Sequence, residues 1–258
     1  MKTQIINAQG EKIILEVDIP KKIKGIVFVS HGLGGFKEQP HILTFSQTFN
    51  DVGFLAVRWD ARNTLGESEG NLVDATLTNY LQDFNTVVNW ASSQEWYQEP
   101  FIVCGHSLGA ACALLFAINH PKKVKAIIIA SAFISGLEFE KTFPSKILDK
   151  WKQSGIREWM SSSQPGVIKK IKWNFMEDAY GYDLLANVKK LTQPLLLIVG
   201  SDDDNTPVNL QELFFHAVPS KEKEFHIIEG AEHTFKNTSH LNQIKVIIKT
   251  WVRKAMID

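Results

Sequence analysis

Apolar residues fall in two rhythms along this chain. Continuous runs at Gly25–Ser30, Phe54–Trp59, Phe101–Cys104, Val124–Ala130 and Pro194–Gly200 have the length and make-up of strands buried on both faces. Between them, apolar positions three and four residues apart outline amphipathic helices. These are Ile42, Phe45, Phe49 and Val52, then Leu77, Leu81, Phe84 and Val88, and finally Leu241, Ile244, Ile248 and Trp251. Gly109 to Ala117 reads as a helix of small residues, Val208 to His216 as another, and Glu224 to Glu229 as the last strand. Two short alternating runs between Gln4 and Ile19 flank Ala8-Gln9-Gly10-Glu11 and predict an antiparallel hairpin. The β-α-β-α-β-α-β order that follows, with right-handed crossovers, predicts a mostly parallel, doubly wound sheet covered by helices on both faces.

The rhythm breaks between residues 131 and 192. No strand stands out there, only helical pieces, a loop at Ser161-Ser162-Ser163-Gln164-Pro165-Gly166, and scattered aromatics that include Phe133, Phe139, Trp173, Tyr180 and Tyr182. The expectation is one α/β domain over 1–258 with a small helical cap inserted at 131–192, over the carboxyl edge of the sheet. Extra helices that only extend the core are the alternative.

Composition narrows the function classes. Lys plus Arg and Asp plus Glu both number 28, so no overall field favours nucleic acid or an anionic membrane. Cys104 and Cys112 sit inside apolar segments and read as small core residues, with no disulfide framework and no metal site. The start, Met1-Lys2-Thr3-Gln4, lacks a charged segment followed by an apolar one, and no run reaches membrane-spanning length. A cytoplasmic location without membrane insertion is expected; oligomeric state is left open.

Four loops, each just after a strand, carry the candidate chemistry. Gly105-x-Ser107-x-Gly109 joins a strand to a helix, the pattern that holds a serine on a tight elbow. Side chains at the two glycines would collide with the flanking elements. A glycine-flanked turn with an idle serine is the plain alternative. Ser107 needs a base, and a histidine follows the last strand in Gly230-Ala231-Glu232-His233. An acidic loop, Gly200-Ser201-Asp202-Asp203-Asp204, follows the preceding strand and would otherwise simply cap the next helix. His31-Gly32-Leu33-Gly34-Gly35 follows the first parallel strand, with glycines that let amides turn toward an oxyanion. Ligands bind beyond the carboxyl ends of a parallel sheet, so these loops converge. Their order is serine, acid, histidine.

From about Gly25 to Trp251 the chain resembles the α/β-hydrolase superfamily, and within it the serine-aminopeptidase-like and cinnamoyl-esterase-like hydrolases. The resemblance rests on His31-Gly32, Gly105-His106-Ser107-Leu108-Gly109, Gly200-x-x-Asp203-x-x-x-Pro207, Gly230-x-x-His233 and the Asp60-Ala61-Arg62…Gly66-Glu67-Ser68 loop. It implies a catalytic triad of Ser107, Asp203 and His233, choosing Asp203 over Asp202 and Asp204, and His233 over His226 and His240. It also implies an oxyanion hole from the backbone N–H groups of Leu33 and Leu108, and no cofactor. The expected reaction is hydrolysis of a small-molecule carboxylic ester of small to medium acyl group. Peptidase, thioesterase or acyltransferase activity with the same triad, or a non-catalytic binding role, are the alternatives. His106, Phe36, Trp173 and Tyr180 are the candidates for contact with substrate; Tyr180, Tyr182 and Trp173 carry an expectation of aromatic esters. Asp60 is expected to brace its own loop, and His106 to pack beside the elbow.

Overall fold

The computed structural model describes residues 1–161, 164 and 166–255. Its centre is an eight-stranded sheet made of β1 (Lys2–Ile6), β2 (Lys12–Asp18), β3 (Gly25–Ser30), β4 (Phe54–Trp59), β5 (Phe101–His106), β6 (Val124–Ala130), β9 (Leu195–Gly200) and β10 (Lys223–Ile228). The strand order is β1-β2-β4-β3-β5-β6-β9-β10. β1 pairs antiparallel with β2, and β2 antiparallel with β4; the remaining pairs are parallel. This is the α/β-hydrolase fold read from the sequence, with its N-terminal hairpin.

The continuous apolar strands have a direct cause: alternate residues feed cores on opposite faces. Ile26 and Phe28 pack toward α2 (Leu77–Ala91) and α3 (Leu108–Asn119), in a cluster with Phe84, Phe101 and Phe116. Val27 and Val29 pack toward α1 (Pro40–Asp51) and α9 (Thr238–Ala255), with Phe45, Phe49, Ile244 and Ile248. Cys104 and Cys112 are free, buried thiols. Among the described residues no helix is long and apolar enough to cross a membrane.

The segment between β6 and β9 departs from the sequence reading, which saw no strand there. It carries α4 (Gly136–Lys141), α5 (Ser145–Ser154), an antiparallel hairpin of β7 (Ile156–Met160) and β8 (Ile168–Lys172), then α6 (Asn174–Ala179) and α7 (Leu184–Asn187); α8 (Val208–Ala217) follows β9, as the sequence predicts. Gly155 ends α5 in the left-handed conformation at φ 72° and turns the chain directly into β7. Of the loop expected at 161–166, Ser162, Ser163 and Pro165 lie outside the described residues. The ends of the insert are pinned together. Leu184 N donates to Ile134 O at 3.0 Å, Gly136 N to Tyr182 O at 3.2 Å, and Ser135 bridges Asp183.

Candidate active site

The elbow after β5 is fixed by backbone contact. Ser107 has φ 54° and ψ −120°, a strained conformation for a residue with a side chain. A Cβ on Gly105 would lie 2.4 Å from Gly109 O; one on Gly109 would lie 2.4 Å from His31 O and 2.5 Å from Ser30 O. The first glycine thus admits the turn of α3, as the spacing implied. The second admits the end of β3, an adjacent strand that sequence spacing does not reveal. Ser30 Oγ donates to Gly109 O at 2.8 Å, and Ser107 N to Ala130 O at 3.0 Å, tying the elbow to both neighbouring strands.

The acid and histidine loops brace each other. β9 and β10 run in register to Gly200 and Ile228, and a Cβ on Gly200 would lie 2.0 Å from Ala231 O. Asp202 N donates to Ala231 O at 3.0 Å, and Gly230 N to Ser201 Oγ at 2.7 Å. Held this way, His233 Nδ1 stands 2.9 Å from both carboxylate oxygens of Asp203, while its Nε2 stands 3.0 Å from Ser107 Oγ. Asp203 also accepts from Asn205 N at 3.0 Å, Thr206 N at 2.9 Å and Thr206 Oγ1 at 2.7 Å. Burial opposes its charge, but the hydrogen bonds and the charge of His233 outweigh this and hold its carboxyl below the usual range. The rival residues are elsewhere. Asp202 accepts from Ser201 Oγ, Asp204 is exposed, His226 faces Glu224 at 3.3 Å, and His240 lies on α9.

His31 shapes the glycine loop. Its Nε2 accepts from Ala61 N at 3.0 Å, so Nδ1 carries the proton and donates to Gly32 O at 2.8 Å. Burial keeps this ring neutral by lowering its pKa. Gly34 N donates to Tyr80 Oη at 3.2 Å. Among the described residues no acceptor takes the amide N–H of Leu33 or of Leu108, and Leu108 opens α3, where the helix presents its positive end.

His106 donates Nε2–H to the carbonyl of His233 at 2.7 Å, and its ring lies between those of His41 and His233, at centroid distances of 4.4 and 4.7 Å. Burial pushes its pKa well down, and His41 likewise to about 3. His106 therefore braces the histidine loop from beneath. Asp60 anchors Lys37, accepting from its N at 2.7 Å and its Nζ at 2.8 Å, and accepts from Glu67 N at 2.9 Å. Arg62 binds Asp83, with Nε to Oδ1 at 2.9 Å. Both residues brace their loop.

Above Ser107 lies a cavity of about 210 Å³. Its walls include Leu33, His106, Ser107 and His233 from the sheet side and Phe133, Phe139, Arg157, Trp159 and Lys169 from the insert side. Of the candidate contact residues, His106 borders it; Phe36, Trp173 and Tyr180 do not. Trp173 packs on Trp151 at 5.3 Å and, with Tyr180, lines a separate depression, while Tyr182 meets Thr78 Oγ1 at 2.7 Å. Sequence reasoning missed Arg157, Trp159 and Lys169 because it missed the hairpin. Neither Ile156-Arg157-Glu158-Trp159-Met160 nor Ile168-Lys169-Lys170-Ile171-Lys172 alternates apolar with polar residues, so periodicity offered no signal for the hairpin.

The serine aminopeptidase S33 family profile matches residues 21–239. The mitochondrial palmitoyl-protein thioesterase ABHD10 of Pongo abelii is 22% identical over 239 residues, covering 91% of this chain and 76% of its own. A monoacylglycerol lipase of Mycolicibacterium smegmatis is 23% identical over 265 residues, covering 94% of this chain and 93% of its own. Among solved structures, Est1E from Butyrivibrio proteoclasticus with ferulic acid bound superposes with a TM-score of 0.78 at 22% identity, covering 99% of each chain. With the sheet order, the elbow and a profile match over most of its length, this chain belongs to the serine aminopeptidase S33 family of α/β hydrolases.

Proposed function

We propose that the protein is a carboxylic-ester hydrolase acting through an acyl-enzyme on Ser107, with residues 131–192 as the cap over its site. One observation carries this reading: the continuous relay from Asp203 to His233 at 2.9 Å and from His233 to Ser107 at 3.0 Å. His233 Nε2 takes the proton of Ser107 Oγ as the oxygen attacks the ester carbonyl carbon. The carbonyl π pair moves onto its oxygen, and the N–H groups of Leu33 and Leu108 stabilise that oxyanion. Collapse breaks the carbonyl carbon–alkoxy bond, and His233 returns its proton to the departing alcohol. Water then attacks the acyl carbon, gives a proton to His233, and frees the carboxylic acid as Ser107 Oγ is reprotonated. Asp203 orients the ring throughout and balances the charge of its cation.

The cavity of about 210 Å³ is smaller than the roughly 300–1,000 Å³ of drug-sized ligand sites, which favours short acyl chains. Its aromatic walls come from Phe133, Phe139 and Trp159, so any preference for aromatic esters rests on these residues and not on Trp173, Tyr180 or Tyr182. The test is hydrolysis of a 4-nitrophenyl ester chain-length series by wild type and Ser107→Ala. The expected result is activity highest for short acyl groups and reduced on the order of 10⁶-fold by the substitution. Undiminished turnover by Ser107→Ala, or no turnover of any ester by wild type, rejects the reading.

A further inference from the structure

We infer that the cavity accepts esters carrying a free carboxylate, which the ammonium of Lys169 receives from the insert side. This rests on the ester-hydrolase reading and names its substrate class.

The hairpin alternates. Lys170 and Lys172 of β8 point outward and have acidic partners, Glu158 at 2.6 Å and Asp74. Lys169 points inward, where the pattern calls for an apolar residue; it is 6% exposed and opposite Trp159 in the register. A Cβ on Gly34 would sit 3.3 Å from Lys169 Nζ, which places the ammonium beside the glycine loop, one residue beyond Leu33. Among the described residues nothing forms a hydrogen bond or ion pair with it, and neither Asp nor Glu lines the cavity.

A buried, uncompensated ammonium is costly, and here burial lowers its pKa to about 8. It remains mostly charged at neutral pH. Arg157, on the opposite strand, adds a second cation that forms no ion pair among the described residues; its guanidinium stacks 4.5 Å from the Phe143 ring centre and 4.9 Å from that of Trp159, and Asp204 borders the outer depression it also lines. The cavity thus combines apolar walls, Ser107 at its base and positive charge that no acidic residue of its lining offsets. A substrate carboxylate supplies a counterion through charge-assisted hydrogen bonds.

Two matched ester pairs test this, one with the charge on the acyl side (monoethyl adipate against ethyl heptanoate) and one with it on the alcohol side (4-acetoxybenzoate against 4-methylphenyl acetate). Wild type should favour the anionic member of at least one pair by about 10-fold or more in kcat/KM, the scale of a hydrogen bond to a charged group. Lys169→Met should lower that anionic-to-neutral ratio about 10-fold, and Lys169→Arg should keep part of it. Met has nearly the shape of the Lys stem and removes a buried charge, so folding should survive. Preference for the neutral member in both pairs overturns the inference. So does an equal loss on both members in Lys169→Met, which would make Lys169 a contributor to the oxyanion field alone. Calorimetric binding of 4-acetoxybenzoate to Ser107→Ala, with and without Lys169→Met, separates the two levels. Lys169-dependent binding without ester turnover by wild type supports the anion site and sinks only the hydrolase reading. Turnover of neutral esters without Lys169-dependent binding sinks the anion site alone.

Discussion

On the sheet side of the cavity, main-chain atoms set the geometry. Gly105, Gly109 and Gly200 each face a carbonyl at 2.0–2.4 Å from where a Cβ would be, and hydrogen bonds tie the elbow to β3 and β6 and the acid loop to β10. On the insert side, side chains do the work: Arg157 stacks on rings, Trp159 is half-buried, and the outer face of the hairpin leaves Ile156, Met160 and Ile168 exposed. The first surface tolerates almost no change because backbone cannot give way. The second can be rewritten one side chain at a time. In the proposed hydrolase, reaction chemistry and substrate choice would therefore be held by parts of very different rigidity.

The largest effect tests the rigid side. Asp203→Asn should leave the fold intact and lower kcat by about 10⁴-fold, because the amide no longer holds the required His233 tautomer. Steady-state kinetics beside a thermal melt will show whether activity falls without loss of structure. A drop of less than tenfold would mean that Asp203 does not orient the ring. Gly109→Ala should cost about 3 kcal/mol or more, since the new methyl meets Ser30 and His31 carbonyls that strand pairing prevents from moving. Urea unfolding measures it; a near-neutral result would show that the elbow can shift.

The histidine pair under the site gives the next effect. In the unfolded chain both rings protonate near pH 6.5, whereas burial holds folded His41 neutral down to about 3 and His106 well below its usual value. Between those limits the unfolded state binds more protons, so stability falls as pH falls, by up to about 1.4 kcal/mol per pH unit per histidine. His41→Phe should flatten the pH dependence of the urea midpoint between pH 6.5 and 4, and an unchanged slope would refute it. The smallest effect belongs to the insert. Trp159→Ala should cost less than about 1 kcal/mol in stability, while shifting the acyl-length profile of ester hydrolysis toward longer chains. A large loss of stability with an unaltered profile would reverse the comparison.

The same division explains what the sequence disclosed. The inner strands β3, β4, β5 and β9 are legible because burial on both faces makes them continuously apolar, and Ser107 and Asp203 each follow such a strand; His233 follows β10, an edge strand that is only partly buried and reads less plainly. Gly109 was readable as a requirement, but not its partner: the residues it meets, Ser30 and His31, are neighbours only once β3 and β5 have paired. The hairpin was obscured because its strands are five residues long, and β8 spends its inward positions on Lys169 and Ile171, so alternation of apolar with polar collapses to lysines between two isoleucines. Trp173 and Tyr180 were misplaced for the converse reason. Aromatic character identifies a residue that will pack, and without a path for the chain it does not say against what.

The pinched ends of the insert bear on how such proteins diversify. Because Ile134–Gly136 and Tyr182–Leu184 close on each other, residues 137–181 leave and rejoin the body through a single narrow doorway. A segment attached that way is open to exchange, provided its replacement fills the core that Phe175, Met176 and Ala179 fill and replaces the contact of Asp178 with Thr78. Recombination, or an engineer, can exchange it for a piece of another length or charge without disturbing a strand register. The chemistry beneath would then meet a new clientele with its own machinery unaltered.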